Sequence, residues 1–121
     1  MVQASKQGGE FEELTEAGAL EALIERSREA PVVLFKHSLT CPISAFAYGE
    51  MSRLAPDVAE ATALVIIQRA RAVSNEIAAR TGVRHESPQA IILRNGTAVW
   101  TASHYDITAE AVEGEVKKRR Q

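Results

Sequence analysis

Pro31-Val32-Val33-Leu34-Phe35-Lys36-His37-Ser38-Leu39-Thr40-Cys41-Pro42-Ile43-Ser44 is the stretch on which the fold turns. Val32 to Lys36 is a short, unalternated apolar run, the pattern of a strand covered on both faces. His37 to Thr40 is a brief connection. Cys41-Pro42-Ile43-Ser44 then opens a helix, because proline is favoured at the first helical position, where its missing N–H would be unpaired anyway. Cys41 is the only cysteine of the chain. Standing just before a helix start, its sulfur meets the positive end of the helix dipole and free backbone N–H groups, which favour thiolate over thiol. Free cysteine is otherwise among the most buried of residues; this setting marks Cys41 as a reactive thiol instead.

Working outward, Leu14, Ala17, Leu20, Leu23 and Ile24 recur at helical spacing from about Thr15, with glutamates at the start and Arg26 and Arg28 near the end. That is an amphipathic helix with charges matched to its dipole, ended by Pro31. A second helix is expected from Cys41 to about Leu54, broken before Pro56. Thr62-Ala63-Leu64-Val65-Ile66-Ile67-Gln68 is another buried strand, and Ala72 to Thr81 a third helix capped by Gly82. Gln89–Arg94 and Thr97–Thr101 flank Asn95-Gly96, a strong short-range hairpin signal. Thr108 to about Lys118 closes the chain as a fourth helix. Two buried strands joined through a helix pair in parallel by a right-handed crossover. The expected fold is therefore α/β: a mixed four-stranded sheet, two parallel strands plus a C-terminal antiparallel hairpin, flanked by four helices. Cys41 falls at the C-terminal end of a central strand, where ligands of open α/β sheets bind.

The 121 residues suit one domain over 11–121, preceded by a polar, Gly-containing segment 1–10 that is expected to be flexible. A net charge of −2 gives no bulk electrostatic basis for a nucleic-acid or anionic-membrane partner. The basic run Lys117-Lys118-Arg119-Arg120 reads as a solvated helix end. No apolar stretch reaches membrane-spanning length, and the N-terminus lacks a signal-peptide core. With a single cysteine, a disulfide framework and a cysteine-rich zinc site fall away, and a cytoplasmic location is expected. Three scattered histidines without ligand spacing point to no metal site.

Two features narrow the chemistry. The position of a resolving cysteine in a C-x-x-C pair is held by Ser44, so any disulfide made by Cys41 must be intermolecular or with a small thiol. Ser44 itself is expected either to hydrogen-bond the thiolate from the next turn or to face solvent as an ordinary helix residue. Ser87-Pro88 lies directly before the strand at Gln89, and is expected to be cis. The Ser87 backbone would then turn toward the site and pair with an extended substrate in the manner of strand addition.

The element order with Cys-Pro at the first strand-to-helix junction, and Pro88 where such proteins keep a cis-proline, resembles the thioredoxin fold. Phe35 to Ser44, Ser74-Asn75, Thr81 to Ala90 and Trp100 to His104 are similar to the characteristic segments of the YtxJ-like family, the monothiol bacilliredoxins. The resemblance spans roughly residues 12 to 118. It implies an enzyme that removes bacillithiol from S-bacillithiolated proteins, with Cys41 as nucleophile, Thr40, Pro42, Ile43 and Ser44 as the rest of the active-site motif, and Ser87 and Pro88 in the substrate groove. Bacillithiol enters as substrate, with no bound cofactor. The implied partners are S-thiolated client proteins, a low-molecular-weight thiol and a regenerating reductase or thiol. Lys36 and His37, at the strand end leading to Cys41, and His85, before Pro88, are candidate contacts to the thiol or to an anionic small thiol. Arg69 and Arg71 lie at the same sheet end. Two other functions fit less well. A thiol peroxidase motif Pro-x-x-x-Thr/Ser-x-x-Cys would match Ser38 but finds Leu34 in place of proline. A non-catalytic binding module on the same fold is the other, since fold alone does not establish activity.

Overall fold

The computed structural model describes residues 11–120; the segment 1–10, expected to be flexible, lies outside the described residues. The elements are β1 (Glu12–Glu13), α1 (Ala17–Arg26), β2 (Val32–His37), α2 (Pro42–Met51), α3 (Pro56–Glu60), β3 (Thr62–Ile66), α4 (Arg71–Thr81), β4 (Gln89–Arg94), β5 (Thr97–Ser103), a 3-10 turn (His104–Asp106) and α5 (Ala109–Lys118). One sheet runs in the order β1-β3-β2-β4-β5. β2 pairs β3 in parallel and β4 antiparallel, and β4 pairs β5 antiparallel across the hairpin.

The expected mixed sheet is present, with one strand and one helix more than the sequence reading supplies. β1 pairs with β3 in parallel at Glu12 and Glu13, and Leu14 N–H extends the ladder to Leu64 O at 2.8 Å. Only two residues long and both glutamate, β1 carries no periodicity, and its acids read as a helix start. Leu14 accordingly belongs to this edge, and α1 begins at Ala17. The second helix stops before Pro56 as expected, and the extra helix follows it. α2 ends at Met51, and α3 starts with Pro56 in its first turn.

Burial explains the strand order. Every residue of β2 and of β3 is buried, as central strands require, whereas β5 is exposed or half-buried throughout and forms an edge. At the hairpin Asn95 and Gly96 both take positive φ, 59° and 76°, as a type I′ turn demands. Gly82 likewise ends α4 in the left-handed region at φ 73°.

Side chains alternate along a strand, which divides the core in two. Val33 and Phe35 join Ala47, Met51, Val112 and Val116 beneath α2 and α5. Val32 and Leu34 join Leu20, Leu23, Ile24, Val73 and Ile77 beneath α1 and α4. Each fully buried side chain of this size contributes about 1.5–3 kcal/mol of transfer free energy. By the same parity, the last two residues of β2 part company: Lys36 points to the α1/α4 face and His37 to the α2/α5 face.

Candidate active site

Cys41 is the N-cap of α2, in extended backbone at φ −109°, ψ 121°. Pro42 occupies the first turn, and Cys41 O accepts from Ala45 N–H at 3.0 Å, so the helix starts at the sulfur-bearing residue. The Cys41 side chain is partly exposed and makes no capping hydrogen bond. Thr40 and Pro42 are exposed beside it and Ile43 is half-buried.

Ser44 is 0% exposed. Its Oγ accepts from Ser38 N–H at 2.8 Å and lies 2.8 Å from His37 Nδ1. With Ser38 N–H already donating to it, the hydroxyl proton of Ser44 is free to point at Nδ1, leaving His37 to carry its own proton on Nε2. His37, 8% exposed, packs against Tyr48 and Phe35, with ring centroids 4.9 and 5.8 Å away. Burial holds its pKa below the ordinary 6.5, partly opposed by an interaction with the Ser44 backbone. A neutral, internal imidazole is the result. Both sequence expectations for Ser44 are therefore corrected: its hydroxyl is neither in solvent nor turned to the thiol, because Ser38 and His37 use it. His37 likewise is a brace of α2 against β2, with its Nδ1 engaged by Ser44.

Lys36 is 0% exposed on the other face of the sheet. Its Nζ lies 3.2 Å from His85 Nδ1, and Ser74 Oγ lies 3.4 Å from the same nitrogen. Burial pushes the Lys36 ammonium down to about 8 from 10.5. His85 is also held below its ordinary value, first by burial and then by the charges of Lys36 and Arg71, against the opposite pull of Glu86. A neutral His85 accepts from Lys36. Strand parity separates Lys36 and His37, each a candidate contact to the thiol or to an anionic small thiol, onto opposite faces of the sheet.

The Ser87-Pro88 bond is cis. β2 and β4 are in register from Val32↔Leu93 to Lys36↔Gln89, so the next step sets Pro88 opposite His37, at the sheet end that carries Cys41. Pro88 O accepts from His104 N–H at 3.1 Å. The adjoining Tyr105 meets Phe46 of α2 edge to face, with centroids 5.3 Å apart. The proline segment and the Cys41 helix are thereby joined through the 3-10 turn. Ser87 Oγ is buried without a hydrogen-bond partner.

The sequence reading missed Gln68. Its Oε1 accepts from Leu39 N–H at 3.1 Å, and its Nε2 donates to Ser38 Oγ at 3.0 Å and to Thr40 Oγ1 at 3.4 Å. It braces the whole approach to Cys41 from the end of β3. The one signal was a polar residue closing an apolar run at the correct sheet end. Arg69 instead pairs with Glu13 at 3.0 Å. Among the described residues, no group of three His, Cys, Asp or Glu converges as a metal site, and no helix is long and apolar enough to cross a membrane.

The likenesses to known proteins agree with this geometry. A family model described as monothiol bacilliredoxin BrxC matches residues 12–112. A solved structure, described as a provisionally assigned oxidoreductase with a thioredoxin fold, is 34% identical; the match covers 95% of this chain and 99% of that one, with a TM-score of 0.79. The thioredoxins of Fasciola hepatica and Trypanosoma brucei brucei share the fold at 14% and 13% identity, each with a TM-score of 0.70. They cover 90% and 97% of this chain, and 99% and 96% of their own.

Proposed function

Because the chain belongs to the monothiol bacilliredoxin family, we propose that Cys41 removes bacillithiol from S-bacillithiolated proteins by one-cysteine exchange. Membership makes it a thiol–disulfide oxidoreductase of thioredoxin fold, acting on thiols and thiolated proteins in general. The small thiol and the direction of transfer are the proposed part.

The Cys41 thiolate attacks the bacillithiol sulfur of the client's mixed disulfide. A new bond forms between Cys41 Sγ and that sulfur, the client's S–S bond breaks, and the client departs as a thiolate that takes a proton from water. Cys41 is left capped. A second bacillithiol thiolate then attacks the sulfur of the cap, releasing Cys41 and a symmetrical small disulfide; a partner dithiol can do the same and close its own disulfide. The negative charge on Cys41 before attack and after release sits at the positive end of α2. Thr40 and Pro42 neighbour Cys41 in the motif, Ile43 and Ser44 complete it, and Ser87 and Pro88 form the opposite wall on which a client strand lies.

The observation that carries this reading is the fate of the fourth motif position. Ser44 is wholly buried and engaged by Ser38 and His37, and Cys41 is the only thiol. An internal resolving step has no sulfur to use, so the capped state must be opened from outside. The test is intact-mass analysis after mixing the reduced protein with an S-bacillithiolated client. Transfer of one bacillithiol mass to the wild-type protein, with none to Cys41→Ala, is expected. Transfer of glutathione from a glutathionylated client with none of bacillithiol would overturn the substrate assignment, and the absence of either transfer would overturn the exchange reading.

A further inference from the structure

We propose that Lys36 is a positioning residue for this exchange: its buried amine holds His85, and through it the Arg84–Ser87 segment that leads into Pro88. The inference rests on the reading of Ser87 and Pro88 as a wall of the Cys41 site.

A lysine 0% exposed on the central strand of a sheet is costly, and cores seldom keep one without a task. Lys36 is on the face that Val32 and Leu34 fill with apolar contacts, so a Leu or Met would serve packing better. Its side-chain hydrogen bond is to His85, 49 residues away in sequence and exposed at the surface. The amine therefore reaches from inside the sheet to the underside of a surface segment.

That segment is otherwise irregular between α4 and β4. Its other ties are peripheral or local. Gln89, 2% exposed and directly opposite Lys36 in the ladder, donates Nε2 to Arg84 O at 2.9 Å. Glu86 meets His104 Nε2 at 3.9 Å on the outside, where both side chains are more than two-fifths exposed and such a pair adds little. Ser74 of α4 lies farther from His85 Nδ1 than Lys36 does. Among the described residues, Lys36 is thus the one fully buried, charge-bearing donor that anchors the segment's centre to β2. It does so from β2, whose end is tied to the first turn of the Cys41 helix through His37 and Ser44, so the amine and the thiol are both referred to one strand. Fixing both sides of a reaction site to a single strand holds a bound disulfide at a constant distance from the attacking sulfur. Arg71 on α4 and Glu86 on the segment are the other charges acting on His85, with opposite signs.

The experiment compares wild type, Lys36→Met, His85→Leu and His85→Asn by amide hydrogen exchange over 84–87 and by transfer kinetics with a thiolated client. Asn can present an oxygen where His presents Nδ1, so it keeps the acceptor for Lys36. His85 is exposed, so its variants leave the core intact. Lys36→Met and His85→Leu are expected to speed exchange of the 84–87 amides about tenfold or more, the effect of losing one charge-assisted hydrogen bond. They should raise KM for the client by a similar factor, leave alkylation of Cys41 by iodoacetamide within about twofold, and His85→Asn should restore both. Wild-type exchange rates in His85→Leu would overturn the proposal, as would equal loss in His85→Leu and His85→Asn. If wild type itself transfers no small thiol, the functional reading fails, while the amide exchange still decides whether Lys36 holds the segment.

Discussion

Ser44 Oγ sits 2.8 Å from His37 Nδ1 and thereby ties the first turn of the Cys41 helix to the end of the strand before it. The same oxygen receives Ser38 N–H, so one hydroxyl closes the loop on both sides of the thiol. The place where a two-cysteine enzyme keeps its second sulfur is here a structural joint.

Ser44→Ala should therefore cost stability. It leaves Ser38 N–H and His37 Nδ1 without their partner in a buried site, a loss of about 1–3 kcal/mol. Urea denaturation followed by far-UV circular dichroism measures it. A variant as stable as wild type would mean that the joint bears no strain of holding the loop.

Lys36→Met should act in opposite directions at two scales. It loosens residues 84–87, yet it removes a buried ammonium, so global stability near pH 7 should rise by on the order of 2–3 kcal/mol. The pH dependence follows from the lowered value of about 8 against 10.5 in the unfolded chain. Below about pH 8 both states carry the proton and the penalty is complete. Between 8 and 10.5 the folded state has shed it while the unfolded chain still binds it, so wild-type stability climbs. The wild-type deficit relative to Lys36→Met should shrink across that window and vanish above it. Denaturation curves at pH 7, 9 and 10.5 test this, and a pH-independent difference would contradict it.

His37 should resist protonation. Its pKa is lowered by burial, so the stability it supports is complete above pH 6.5 and is lost as pH falls through the lower folded value. Nitrogen chemical shifts should show a neutral ring with the proton on Nε2 at pH 6.5. A charged ring there, or a proton on Nδ1, would contradict the Ser44 hydrogen bond as drawn.

Gln68→Ala should free the approach to Cys41 without unfolding the protein. Its bonds to Leu39, Ser38 and Thr40 are exposed, so the stability loss should stay below about 1 kcal/mol. Amide exchange at Leu39 should rise severalfold, and the rate of small-thiol transfer should fall. Unchanged exchange at Leu39 would remove Gln68 from the site.

The sequence shows the central architecture because its strongest signals are local. Val32–Phe35 and Ala63–Ile67 are unbroken apolar runs, Asn95-Gly96 permits the turn it makes, and Pro42 marks a helix start. The first strand is invisible because Glu12 and Glu13 pair through backbone alone, and two residues have no period. Orientation was harder still. Helical spacing says that Ser44 lies one turn beyond Cys41, but the face it turns inward depends on the packing of Tyr48 and Ala47 against the sheet. The Lys36–His85 bond joins residues that only the β2–β4 register brings together. Lys36 in an apolar run was the visible half of that pair, and its partner was set by tertiary structure.

The two-residue strand at Glu12–Glu13 has a consequence for colloidal behaviour. It covers the outer edge of Thr62–Ile66, a buried, β-branched run whose open side would otherwise offer a template to other chains. Acidic side chains on that cover, one of them paired with Arg69, make it a poor docking edge in turn. A protein that acts on thiols and thiolated proteins keeps this strand behind a charged guard only two residues long, and losing Phe11–Leu14 would turn a redox protein into a seed for aggregation.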